Sequence, residues 1–157
     1  MDEDFQESSQ KETLSELITF ILDGRQVADY FSLLCFLPPE PSLEVALDNL
    51  SRLITEKTGR PCLWNYGPAY LHSTGQLFKG DAGRAKFIGL YYSEAENVPI
   101  PDLPESPAPA PSFNQLFKAQ ALGDLQALKE KRRNVMFIRL SKPPVKEIFR
   151  LCELIRA

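Results

Sequence analysis

The apolar positions of this chain fall into two alternating rhythms. Leu14, Leu17, Ile18, Ile21 and Leu22 recur at i, i+3, i+4, i+7 and i+8, which predicts an amphipathic helix that Gly24 ends. Asp29 to Leu37 is instead a nearly unbroken run of leucine and aromatic residues, stopped by Pro38-Pro39. That length and that stop predict a buried strand. The helical rhythm returns where Ser42 is placed to cap a stripe of Leu43, Ala46, Leu47, Leu50, Leu53 and Ile54, closed by Gly59. Three more apolar runs, Cys62 to Tyr66, Lys86 to Tyr92 and Asn134 to Leu140, read as strands. Ser112 caps a helix predicted from Phe113 to Lys131, and Val145, Ile148, Phe149, Cys152 and Ile155 stripe a last one. The alternation is complete if a short helix follows the Gly75 loop.

Buried strands alternating with helices predict an α/β fold: a three-layer αβα arrangement with a mainly parallel sheet of about four strands flanked by helices. Residues 1–11 are polar and read as a flexible tail, and 12–157 as a single domain. Between the third and fourth strands, Pro99, Pro101, Pro104, Pro107, Pro109 and Pro111 crowd residues 98–111. Each lacks an N–H donor and fixes φ, so this stretch is read as an extended surface connector.

Composition narrows the function classes. Of 157 residues, 43% are hydrophobic and 25% charged, as in a globular protein, and the net charge of -3 leaves no basic stripe for nucleic acid. No apolar run approaches the roughly 20 residues that span a bilayer, so no membrane partner is expected. The start, Met1-Asp2-Glu3-Asp4, is acidic where a secretory signal is basic. Cys35, Cys62 and Cys152 form no C-x-x-C pair and a single histidine is present, so neither a metal site nor a cofactor is expected. The thiols are read as reduced and buried, in a cytoplasmic protein.

Chemistry concentrates in Tyr66 to Gly80, which leaves a strand end, where open parallel sheets bind ligands. Gly67, Gly75 and Gly80 allow close backbone approach, while Ser73, Thr74 and Gln76 offer neutral hydrogen-bonding groups. Lys79 adds positive charge, and a helix start would add N–H donors for an anion. His72, as the sole histidine, must carry any imidazole acid–base step; its plainer reading is a loop residue bonded locally. Glu94 and Glu96 follow another strand end, and solvated carboxylates are the plainer reading there.

The run Gly67-Pro68-Ala69-Tyr70-Leu71-His72-Ser73-Thr74-Gly75-Gln76-Leu77-Phe78-Lys79-Gly80 resembles the GPRxLHSTGQLHKG motif of the glucose-6-phosphate isomerase part of bifunctional transaldolase/glucose-6-phosphate isomerases. Phe113 to Leu128 is similar to that family's F-x-x-L-x-x-A-Q-A-x-G-D-x-x-A-L helix, and the likeness runs from about residue 14 to the end. It implies a sugar isomerase (SIS) fold, matching the C-terminal of two such domains, and aldose–ketose interconversion of glucose 6-phosphate and fructose 6-phosphate. By the same resemblance His72 and Lys79 are the catalytic candidates, and Ser73, Thr74, Gly75 and Gln76 hold sugar hydroxyls.

Two departures bear on catalysis. Where the motif has its second histidine, in QLHKG, this chain has Phe78, and phenylalanine transfers no proton. The glycine-proline turn after the lysine becomes Asp81-Ala82-Gly83-Arg84. Much of the phosphate loop and the enediol-forming glutamate would come from a companion isomerase domain or a transaldolase chain. Two expectations follow: a domain that contributes part of a sugar-phosphate site, or a non-catalytic isomerase-derived binding or structural module. In either case an uncovered apolar face, with Phe113, Phe117 and Tyr91 or Tyr92 as its candidates, predicts a homo-oligomer or hetero-complex.

Overall fold

Strand β1 (Tyr30–Phe36) has neighbours on both edges and side chains buried on both faces, as its unbroken apolar run requires. The computed structural model describes residues 10–24, 28–92, 98–101, 111–140 and 143–157. Around β1 lie β2 (Cys62–Tyr66), β3 (Ala85–Tyr92) and β4 (Asn134–Leu140), all parallel, in the order β2-β1-β3-β4. Leu33 faces Trp64 across one edge and Ile88 across the other.

Because side chains alternate along a strand, β1 feeds two cores. Phe31, Leu33 and Cys35 point to α1 (Gln10–Leu22), α2 (Pro41–Thr58) and α5 (Pro144–Arg156), where leucine and isoleucine dominate. Leu34 and Phe36 point the other way, onto a 3₁₀ turn (Ala69–His72), α3 (Thr74–Gly80) and α4 (Phe113–Glu130). That second core is aromatic: the Phe78 and Phe87 rings are 5.2 Å apart and the Phe36 and Phe117 rings 5.7 Å. The result is the expected three-layer α/β architecture.

Local chemistry accounts for the ends of α2 and the start of α4. Gly59, at φ +68°, closes α2 and donates its N–H to Thr55 O, as the sequence predicts. Ser112 caps α4 through a full capping box, its Oγ accepting from Gln115 N while Gln115 Oε1 accepts from Ser112 N. Ser42 does not cap α2: the helix begins earlier, at Pro41, with Glu40 as the N-cap residue, and Ser42 Oγ donates to Glu40 Oε1 at 2.8 Å. A proline in the first position has no N–H to satisfy and already holds a helical φ, so this start needs one acceptor fewer.

The predicted tail loses Gln10 and Lys11 to α1, and residues 1–9 lie outside the described residues. So do Glu94, Glu96 and residues 102–110 of the proline-rich connector. Its two ends are joined: Pro99 pairs with Ser112 in an antiparallel bridge, and Phe113 N donates to Val98 O. Among the described residues, no helix is long and apolar enough to cross a membrane.

Candidate functional site

The chain leaves β2 at Gly67, whose N–H donates to Cys35 O at 3.0 Å. A Cβ on Gly67 would stand 2.5 Å from Phe36 Cε1, so no other residue fits without moving that ring. The close approach that this glycine permits is thus to the protein's own aromatic core. Gly75 behaves likewise. It is the second residue of α3 rather than part of a loop, and a Cβ there would meet Tyr70 O at 3.0 Å. Helix α3 is only two turns long with no side-chain cap; Ser73 N donates to Tyr70 O before it begins.

The segment then divides by direction. Tyr70 and Phe78 turn inward, Phe78 being only 2% exposed. Lys79 turns beneath α4, with Nζ 3.1 Å from Asp124 Oδ1, where it pairs by charge rather than through a well-aligned hydrogen bond. Tyr70 OH donates to Asp124 Oδ2. Burial, reinforced by the Asp124 carboxylate, pushes the Tyr70 phenol far above its ordinary range. A second link runs alongside: Arg133 Nη2 donates to Lys79 O at 2.7 Å, and Tyr30 OH donates to Asp81 Oδ2 at 2.8 Å. Desolvation, then the Asp81 hydrogen bond, pushes the Tyr30 phenol up as well.

Asp124 was missed in the sequence reading, although its signal is present. It occupies the buried stripe Ala121, Asp124, Leu125, Leu128 of α4, and an acid on an apolar face calls for a partner.

Outward lie His72, Ser73 and Gln76, all exposed, beside a 65% exposed Leu77. Among the described residues the His72 and Gln76 side chains have no hydrogen-bond or ion-pair partner, while Ser73 Oγ donates to Tyr70 O at 3.4 Å. Thr74 Oγ1 is buried without a hydrogen-bond partner. The structure thus places His72, Ser73 and Gln76 at the surface and pairs Lys79 with Asp124.

Strand order creates a second feature. The chain moves outward from β1 to β2, then returns past β1 to β3, so the connections after β1 and β3 diverge. Such a switch point opens a crevice at the carboxyl ends of the strands. A groove of about 440 Å³ lies there, between Leu37, Pro38 and Pro39 after β1, Tyr92 at the end of β3, and the first turns of α4. None of the ten described residues that line it is charged, and Pro68 is the one among them that the Tyr66–Gly80 segment contributes. Phe113 is 53% exposed at its rim, with Leu116 beside it. Of the two tyrosines predicted for an apolar face, Tyr92 lines the groove and Tyr91 is buried in the aromatic core.

Among the described residues no group of three His, Cys, Asp or Glu side chains could hold a metal ion. All three cysteines are free. Cys35 and Cys152 are buried, and Cys62 is only half-buried. Burial nevertheless pushes the Cys62 thiol up to about 12 and Cys35 higher still, so neither offers a thiolate nucleophile at neutral pH.

No protein-family model matches the chain, and no curated protein matches it. Among solved structures, the fold is similar to that of a hypothetical protein, TT0462, from Thermus thermophilus, with a TM-score of 0.69 and 19% sequence identity. The match covers 92% of this chain and 37% of that one, so this chain spans little more than a third of its neighbour's length.

Proposed function

We propose that this chain is a sugar-isomerase-type (SIS) domain that contributes one wall of a sugar-phosphate site and does not isomerise sugar phosphates alone. The observation that carries this reading is the division of the motif. His72, Ser73 and Gln76 are offered to solvent, while Phe78, at the position of the family's second histidine, is packed inside. Hydroxyl and amide groups suit sugar hydroxyls, and a packed phenyl ring supplies no proton for ring opening. In the completed site His72 is the acid–base residue and Ser73 and Gln76 position the sugar, while the buried Thr74 hydroxyl faces away from it. The carboxylate that shuttles the C1/C2 proton comes from a companion domain, on a second copy, a separate isomerase chain or a transaldolase fusion.

The groove at the strand ends, whose described lining is mostly apolar, gives such a partner a face to cover. Three free thiols fit a reducing compartment such as the cytoplasm. The alternative, a structural module with no sugar ligand, draws on one specific observation: Lys79 is committed to Asp124.

Calorimetric titration of fructose 6-phosphate into the full chain tests the proposal, alongside a coupled isomerase assay with and without a companion chain. Saturable binding weakened by His72→Ala or Gln76→Ala, without turnover by this chain alone, is the expected result. No binding favours the structural module. Turnover by the isolated chain overturns the claim that its site is incomplete.

A further inference from the structure

The two edges of the sheet are finished differently. β2 is short, five residues set between Pro61 and Gly67-Pro68. Its first residue is met from α2, where Cys62 N donates to Thr55 Oγ1 at 3.1 Å and Cys62 O accepts from Ser51 Oγ at 3.2 Å. Trp64 is tied to the same helix, its Nε1–H donating to Asp48 Oδ1 at 2.7 Å. Shortness, flanking prolines and side chains that take up backbone groups all close a strand edge.

β4, the other edge, has none of these. Its seven residues run beside β3 in unbroken register, from Asn134 opposite Lys86 to Leu140 opposite Tyr92, without proline, lysine or bulge. Apart from that ladder, no backbone group from Val135 to Ile138 has a hydrogen-bond partner among the described residues. The same stretch is apolar, yet Val135, Met136 and Phe137 are only half-buried. Gly89 of β3 accounts for part of this openness. A Cβ there would collide with the Phe137 ring, so the missing side chain lets that ring lie inward over β3, with its centre 6.3 Å from that of Phe36. The bulk turns into the core and the outer backbone is left open.

Unpaired N–H and C=O groups beside apolar side chains are a template for one more strand. The sequence of β4 itself fits that strand. Two copies set antiparallel about a two-fold axis through Phe137 overlap over all seven residues: Met136 meets Ile138, Asn134 meets Leu140, and Arg139 meets Val135. The one charge on the strand thus falls opposite a valine and never opposite its own copy, so no like charges oppose the pairing. Antiparallel strands commonly edge an otherwise parallel sheet, and two-fold pairs are the commonest oligomers.

We propose that β4 is a homodimer interface, at which a second copy of this chain adds its own β4 antiparallel and joins the two sheets into one. Neither His72 nor the Lys79–Asp124 pair takes part, so the interface stands or falls independently of the sugar-phosphate reading.

Sedimentation equilibrium of the full chain, with amide exchange read at high and low concentration, tests the interface. A dimer is expected, in which alternate amides of β4 exchange slowly and are released on dilution. Two substitutions at one half-buried position then separate pairing from folding. Val135→Lys sets a cation opposite the second copy's Arg139, and Val135→Glu sets a carboxylate there. Within one chain the two positions are about 13 Å apart along the strand, too far to pair. Each contact occurs twice in the dimer, so the lysine variant should dissociate about tenfold more readily than the glutamate variant. The exchange result on the unaltered chain holds even if either variant folds poorly. A chain that stays monomeric at millimolar concentration would overturn the proposal. So would a dimer whose β4 amides exchange as fast as the monomer's, protection that appears only when a different chain is added, or equal dissociation of the two variants.

Discussion

The two faces of the sheet are packed by different chemistry. On the α1/α2/α5 face, aliphatic side chains such as Leu33, Leu47 and Leu50 form the bulk, with buried Lys86 at its edge bonding the carbonyl end of α1. On the α3/α4 face, rings meet rings, and the Tyr70–Asp124–Lys79 cluster is buried between the two helices. An aliphatic core is held mainly by area and shape. The aromatic face also relies on a few directional contacts, because α3 is too short to bury much area. A two-turn helix is thereby anchored, and the outward side of the motif is left to face solvent.

The largest effects should come from emptying either core. Phe78→Ala and Leu50→Ala are each expected to cost about 2–5 kcal/mol in urea unfolding, with Phe78→Ala toward the upper end. A much smaller loss at Phe78 would mean that the aromatic face contributes little to stability. Phe78→His restores the imidazole of the related motif, but at a site 2% exposed among Tyr70 and Phe87. It should lose about 1–3 kcal/mol and gain no isomerase turnover, whereas a gain in turnover would show that position 78 reaches a ligand.

Next in size is the polar anchor that separates the faces. Lys79→Met removes the cation from an Asp124 side chain that is 2% exposed, while the lysine itself is 24% exposed and partly screened. A loss of about 1–3 kcal/mol is expected by chemical denaturation. A neutral result would mean that the pair contributes nothing and that Lys79 is held there for another purpose.

Alkali should weaken the fold through buried groups on both faces, the phenols of the aromatic face among them. Tyr70 and Tyr30 have folded-state pKa values above the ordinary 10.0 of the unfolded chain. Their contribution is complete below pH 10 and is lost as pH climbs, because the unfolded chain sheds those protons first. Each group adds up to about 1.4 kcal/mol of loss per pH unit. Cys35 and Cys62 act in the same direction. Unfolding measured from pH 9 to 11 should show a shallower decline in Tyr70→Phe; an unchanged slope would place the phenol in water.

The smallest effect is expected at the outward side. His72→Ala should change stability by no more than about 0.5 kcal/mol, since its side chain is exposed and unpartnered among the described residues. A larger loss would make His72 a structural residue and remove it from the proposed sugar wall.

Local pattern alone determined the four strands, the helices other than α3 and the parallel, layered fold among the described residues, because 3.6-residue stripes, unbroken apolar runs and glycine or proline stops act over a few neighbours. The start of α2 escaped that reading, since Pro41 made a serine cap unnecessary. The Tyr66–Gly80 segment was legible as a place of interest, but the direction of each side chain in it was not. Whether Lys79 meets a ligand or Asp124 depends on a residue 45 positions away on α4, and whether Gly67 faces a substrate or the Phe36 ring depends on β1. The apolar groove likewise arises where the connections after β1 and β3 diverge, a consequence of strand order. Such pairings are set by long-range packing against burial cost, so only the tertiary structure decided which polar groups face inward and which remain free to bind.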